Sequence, residues 1–208
     1  MFGSKKLFCV PDFEVMTLPT KLTVARILST FLIMGLLFVP GLAAKTACLV
    51  LFLLASLTDW LDGYLARRLN QTSPLGTLLD PIADKVLILG LLIAFVQLRV
   101  VPAWMALIIL TRELVITGVR LYAASRKIVI AAAKEGKHKT VSQMVAVVLI
   151  LVSLIIREIF AEGMPAVADR VMTQVIAAAL WITVILTLIS GASFFWRHRE
   201  LLRDASVR

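Results

Sequence analysis

The chain has 208 residues, 60% of them hydrophobic and 17% charged, with a formal net charge of +9. So large an apolar share, gathered in runs near twenty residues long, excludes an ordinary soluble domain and points to transmembrane helices. The positive charge does not by itself imply a nucleic-acid partner, and none is expected, because in a membrane protein the placement of basic residues matters more than their sum.

Taken in order, residues 1–16 read as an N-terminal cytoplasmic or interfacial segment, with Phe2, Leu7, Phe8, Val10 and Phe13 as apolar contacts and no cleavable signal pattern. Residues 17–208 read as one six-helix domain without internal repeat or linker. The first apolar run covers about 22–39 and stops at Pro40-Gly41; the second covers 43–57 and continues through Thr58 into an acidic stretch. Four more follow at 75–98, 101–122, 141–156 and 171–195. None shows the alternating polarity of barrel strands, so the expectation is an all-α integral membrane protein with six transmembrane helices. Six spans put both termini on one side. Eighteen of the 22 lysines and arginines fall on that side, and Lys45, Arg99, Arg157 and Arg170 fall on the other, so the termini are expected in the cytoplasm. Trp104, Trp181 and Trp196 lie near span ends and read as interfacial anchors. Cys9 and Cys48 sit in unlike settings, read as small apolar fillers and give no disulfide framework.

The acidic stretch is where the chain departs from a plain apolar bundle. Asp59, Asp62, Asp80 and Asp84 fall within 26 residues, and an ionised Asp near lipid costs about 2.5 kcal/mol or more unless it has partners or a polar cavity. On helices, Asp59 and Asp62 are three apart and Asp80 and Asp84 four apart, so each pair shares a face. Carboxylates in this arrangement suit hard divalent cations, which can clamp a diphosphate, and the region lacks the His and Cys that zinc prefers. Gly63 and Ala66 are small enough for close approach, and Arg67 can bind a phosphate bidentately. Ser73-Pro74 reads as an N-cap with proline at the first helical position, and Pro81 is expected to bend the helix beside Asp80. The same aspartates also read, more plainly, as salt-bridge partners of Arg67, Arg68 and Lys85, or as helix caps.

The pattern Asp59-x2-Asp62-Gly63-x2-Ala66-Arg67-x8-Gly76-x3-Asp80-x3-Asp84 resembles the full signature of the CDP-alcohol phosphotransferase family, with no position missing. The resemblance implies a six-helix membrane enzyme, usually a homodimer, that joins a CDP-linked lipid or alcohol to a hydroxyl acceptor and releases CMP. It implies two Mg²⁺ or Mn²⁺ ions held by Asp59, Asp62 and Asp80 with help from Asp84, and Asp84 as the general base. Gly63, Arg67 and Ser73 would lie against the CDP moiety of CDP-diacylglycerol. Localisation in a bacterial cytoplasmic (inner) membrane follows, among membrane lipids and with the site facing the cytoplasm.

The signature does not choose the acceptor. The stretches 18–26, 58–60, 80–85, 111–113 and 136–143 resemble the branch of the family that uses sn-glycerol 3-phosphate, although Thr17 stands where that branch commonly has Asn. The charges agree with an anionic acceptor. Glu113 and Arg120 are seven apart, on nearly one helical face, and an Arg within an apolar run needs a partner or an anion. Lys134, Lys137 and Lys139 crowd the loop expected before the fifth span. Arg112, Arg120, Lys137 and Lys139 are therefore candidate contacts for the acceptor phosphate, or else a structural network and a solvated basic loop. Inositol phosphate, serine or phosphatidylglycerol are alternative acceptors. A cation transporter is the distant alternative, disfavoured because the acids cluster at one end of two spans rather than at mid-membrane on several.

Overall fold

A computed structural model describes the backbone of residues 18–69, 74–125, 135–160, 163–197 and 199, and side chains at 24–58, 85–124, 138–160, 163–197 and 199. Six helices, and no strand, occur among the described residues: α1 (Leu18–Leu37), α2 (Leu42–Leu69), α3 (Pro74–Gln97), α4 (Ala103–Ser125), α5 (Glu135–Ile159) and α6 (Ala166–Arg197). They fall where the apolar runs predict them. Residues 1–16, with the interfacial contacts expected of them, lie outside the described residues.

The turns have local causes. After α1 the chain passes through Pro40 and then Gly41, whose φ of 112° favours a residue without a Cβ. Phe38 N donates to Gly35 O and Val39 N to Leu36 O, tightening the last turn of α1. The buried Lys45 ammonium donates to the carbonyls of Leu37 and Val39, so a side chain from α2 caps α1. Helix α3 ends differently. Val100 N donates to Phe95 O and Arg99 N to Val96 O, with Arg99 at φ 59°, the paired bonds of a Schellman cap with a non-glycine residue in the left-handed position. Proline opens α3 at Pro74, as expected, and precedes α4 at Pro102 and α6 at Pro165.

Helix α3 is in contact with α1, α4 and α5; α6 packs on α4 and α5, and α2 on α1 and α5. The core joins Ile33 and Leu37 of α1, Phe52 of α2, Leu91 and Phe95 of α3, Ile109 of α4, Ile150 of α5 and Leu180 of α6. The α1–α3 seam is close. A Cβ placed on Gly90 would lie 3.0 Å from Thr30 Cγ2 and 3.1 Å from Met34 Sδ, so glycine is what lets these helices approach.

The outside is apolar as well. Leu28, Phe31, Leu54, Leu107, Ile182 and Ile189 are all more than half exposed, an outer surface expected of helices that face lipid rather than water. Among the described residues, two stretches are long and apolar enough to cross a membrane, His138–Ile159 and Ala166–Arg197. Val24–Leu37, Leu42–Thr58 and Lys85–Gln97 are shorter apolar helices.

Two sequence expectations are corrected. Helix α5 starts at Glu135, so Lys137 and Lys139 lie on its first turns rather than in a loop. Trp181 sits in the middle of α6 rather than near an end, and its ring lies 5.4 Å from that of Trp104 at 60°. The reason is the length of α6, 32 residues or about 48 Å at 1.5 Å per residue, against the ~30 Å hydrocarbon core of a bilayer. The contacts Trp104–Trp181, Arg112–Ser190 and Arg120–Phe194 advance in the same order along both helices, so α4 and α6 run parallel. The first half of α6 therefore extends past the start of α4. There Arg157 of α5 pairs with Asp169 at 2.9 Å and donates to Thr173 at 3.3 Å.

Candidate functional site

The aspartates stand on regular helix. Asp59, Asp62, Gly63, Ala66 and Arg67 occupy the last turns of α2, which stays helical to Leu69, and Gly76, Asp80 and Asp84 occupy the first half of α3. Each Asp pair therefore has the three- or four-residue helical spacing that puts both members on one face. Helix α3 continues through Pro81, which lacks the N–H that would bond to Thr77. Ser73 lies outside the described residues, as do the side chains of Asp59, Asp62, Asp80 and Asp84 and those of Ala66 and Arg67.

Immediately after Asp84 the side chains are defined, and they begin with a polar junction. Lys85 Nζ of α3 donates to Glu113 Oε2 of α4 at 2.9 Å. Arg112 Nη1 donates to Glu113 Oε1 at 2.9 Å, and Lys139 Nζ of α5 donates to the same oxygen. Arg112 Nη2 reaches across to Ser190 Oγ of α6 at 2.7 Å, so four helices meet in one set of bonds. The junction is deep: Glu113 is 4% exposed and Lys139 3%. Shielded from water, charge-assisted bonds of this kind hold their geometry more tightly than surface pairs. A cavity of about 20 Å³, room for one water-sized group, opens beside it and is lined by Lys85, Ile88, Leu89, Glu113, Lys139, Thr140 and Gln143.

The four candidate phosphate contacts have separate fates. Arg112 and Lys139 are both in the Glu113 junction. Arg120 does not join Glu113 despite the seven-residue spacing; its guanidinium lies 5.9 Å from the centre of the Phe194 ring. Seven residues are also about 10 Å of helix rise, too far for a direct pair, and Glu113 already has three nearer cations. Lys137 is on α5, with its side chain outside the described residues. Sequence reasoning missed the bonds that Lys85 and Lys139 donate to Glu113 and the one that Ser190 accepts from Arg112. The signal available was three polar residues on apolar helices, each needing a partner without naming it.

Residues 16–189 match the family described as CDP-alcohol phosphatidyltransferase. The chain belongs to that family, as the aspartate pattern implies. It is 36% identical over 201 residues to the CDP-diacylglycerol–glycerol-3-phosphate 3-phosphatidyltransferase of Bacillus subtilis, covering 91% of this chain and 98% of the relative. The protein of the same name from Rickettsia typhi is 33% identical over 178 residues, 86% of this chain and 94% of the relative. A cardiolipin synthase (CMP-forming) from Oryza sativa is 36% identical over 157 residues, 69% of this chain and 48% of the relative.

Proposed function

We propose that the protein transfers the phosphatidyl group of CDP-diacylglycerol to sn-glycerol 3-phosphate, giving phosphatidylglycerol phosphate and CMP. The observation that carries this reading is the likeness, over nearly the whole chain, to relatives bearing the name of that activity. The complete aspartate motif on α2 and α3 supports it independently. The apolar outer surface and the charge bias support a six-span protein of the bacterial inner membrane, with its termini and site in the cytoplasm. A homodimer is carried over from the family resemblance.

The donor set is all carboxylate, which fits Mg²⁺ or Mn²⁺ held by Asp59, Asp62 and Asp80 with Asp84. Bound there, two such ions would supply charge stabilisation to the diphosphate. The remaining work falls to side chains. Asp84 takes the proton from the primary hydroxyl of the acceptor. The freed oxygen attacks the phosphorus that carries the diacylglycerol, a new P–O bond forms, and the bond from that phosphorus to the CMP oxygen breaks. Arg67 stabilises the departing CMP phosphate, Gly63 and Ser73 lie against the cytidine diphosphate, and Ala66 is small enough for its close approach. Arg112, Arg120, Lys137 and Lys139 supply positive charge on the acceptor side, and an anionic acceptor is the kind such charge favours.

Purified protein given CDP-diacylglycerol should release CMP only when an acceptor is present, and fastest with sn-glycerol 3-phosphate. The similarity to a cardiolipin synthase favours one second reading, phosphatidylglycerol as acceptor. An acceptor panel separates them: CMP release with phosphatidylglycerol and none with glycerol 3-phosphate would replace the first reading by the second.

A further inference from the structure

The junction of α3, α4 and α5 turns on one carboxylate. Glu113, 4% exposed, accepts from Lys85, Arg112 and Lys139, which lie on three different helices. Lys85 directly follows Asp84, so its bond to Glu113 anchors the stretch of α3 that carries the proposed base. The same carboxylate holds Lys139 against the small cavity that both lysines line. Gln143 lines this cavity too. It is 4% exposed and its Nε2 has no acceptor among the described residues, although a side-chain amide buried this far ordinarily finds one. A tie between helices requires neither a cavity nor a buried amide whose donor is left open. Those two features suit an oxygen atom brought in from outside.

We infer that Glu113 is a positioning residue for the transfer. It holds Lys85 and Lys139 at the cavity, where their ammonium groups and the Gln143 amide receive an oxygen of the acceptor, and it fixes Asp84's segment of α3 relative to that oxygen. The inference rests on the phosphatidyl-transfer reading above. Without the carboxylate, three cations brought together in a poorly hydrated interior repel one another, and each moves toward water or another partner. The acceptor then loses its receptor, while the binding of CDP-diacylglycerol through α2 is left alone.

The test measures CMP release by the purified full-length protein in mixed lipid–detergent micelles, varying each substrate in turn. Glu113→Gln, which keeps the size and removes the charge, should raise KM for the acceptor about tenfold and leave KM for CDP-diacylglycerol within about twofold. Glu113→Asp should recover part of the loss. Adding Lys85→Met to Glu113→Gln should cost much less than Lys85→Met alone, because Lys85 meets the acceptor oxygen only while Glu113 holds it at the cavity. If Glu113→Gln fails to fold, Lys85→Met alone should give the same split between the two KM values. Equal shifts in both KM values, unchanged values, or a loss that only tracks the amount of folded protein would overturn the inference and leave Glu113 a structural ion-pair partner. The wild-type protein tests the acceptor separately. If it consumes another acceptor, that reading falls, and the variants are measured with the acceptor it does consume.

Discussion

The two faces of α3 that meet its neighbours are built by opposite means. Along the seam with α1, Leu91 and Phe95 are fully buried against Ile33 and Leu37, and Gly90 lets Thr30 come to contact distance. At the junction with α4 and α5, a few turns away, Lys85, Glu113 and Lys139 are held by directed bonds. Apolar packing is non-directional and tolerates repacking if volume is kept, so the seam holds the bundle together. A buried ionic junction contributes less to stability than it costs to disrupt, but it fixes where charged groups stand. The apolar end of α3 is scaffold, and the polar end is where position matters.

The largest effect expected at the polar end comes from removing metal. Chelation with EDTA should abolish CMP release, and added Mg²⁺ or Mn²⁺ should restore it, whereas full activity in excess chelator would break the metal assignment. Asp84→Asn comes next, with a fall in kcat of about 10²–10⁴ and an unchanged melting temperature in micelles. Near-wild-type turnover with metal bound would show that Asp84 is not the base.

Changes on the scaffold should do the reverse. Gly90→Leu overpacks the α1–α3 seam and should cost about 1–3 kcal/mol of stability, read as a lower melting temperature, while activity per folded molecule stays near wild type. A selective loss of turnover without destabilisation would mean that the two ends of α3 are not separable. The smallest effect is expected at the far end of the α5–α6 hairpin. The Arg157 and Asp169 side chains there are 41% and 50% exposed, so Arg157→Ala should cost at most about 1 kcal/mol and leave turnover unchanged.

Much of the fold was legible because helices in an apolar chain are local objects. The runs of hydrophobic residues and the prolines at 40 and 74 place six helices within a few residues of where they lie, though α5 and α6 begin earlier than their apolar stretches. Polar residues such as Lys137 and Lys139 can continue a helix beyond its apolar part, where hydropathy no longer marks it. Trp181 misled for a related reason, since an end judged from hydropathy is not the end of the helix.

By itself, then, the sequence determined the helical class, the register of the aspartates on α2 and α3, and the family, all of which depend on spacing within a few turns. Tertiary structure decided which cation meets which anion. Lys85 and Lys139 are 28 and 26 positions from Glu113 and reach it only because α3, α4 and α5 pack together. Arg120, seven positions away on a favourable face, stacks on Phe194 of α6 instead. Helical periodicity fixes the direction in which a side chain leaves its helix; the partner it finds depends on which other helix lies there, and that is settled only by packing.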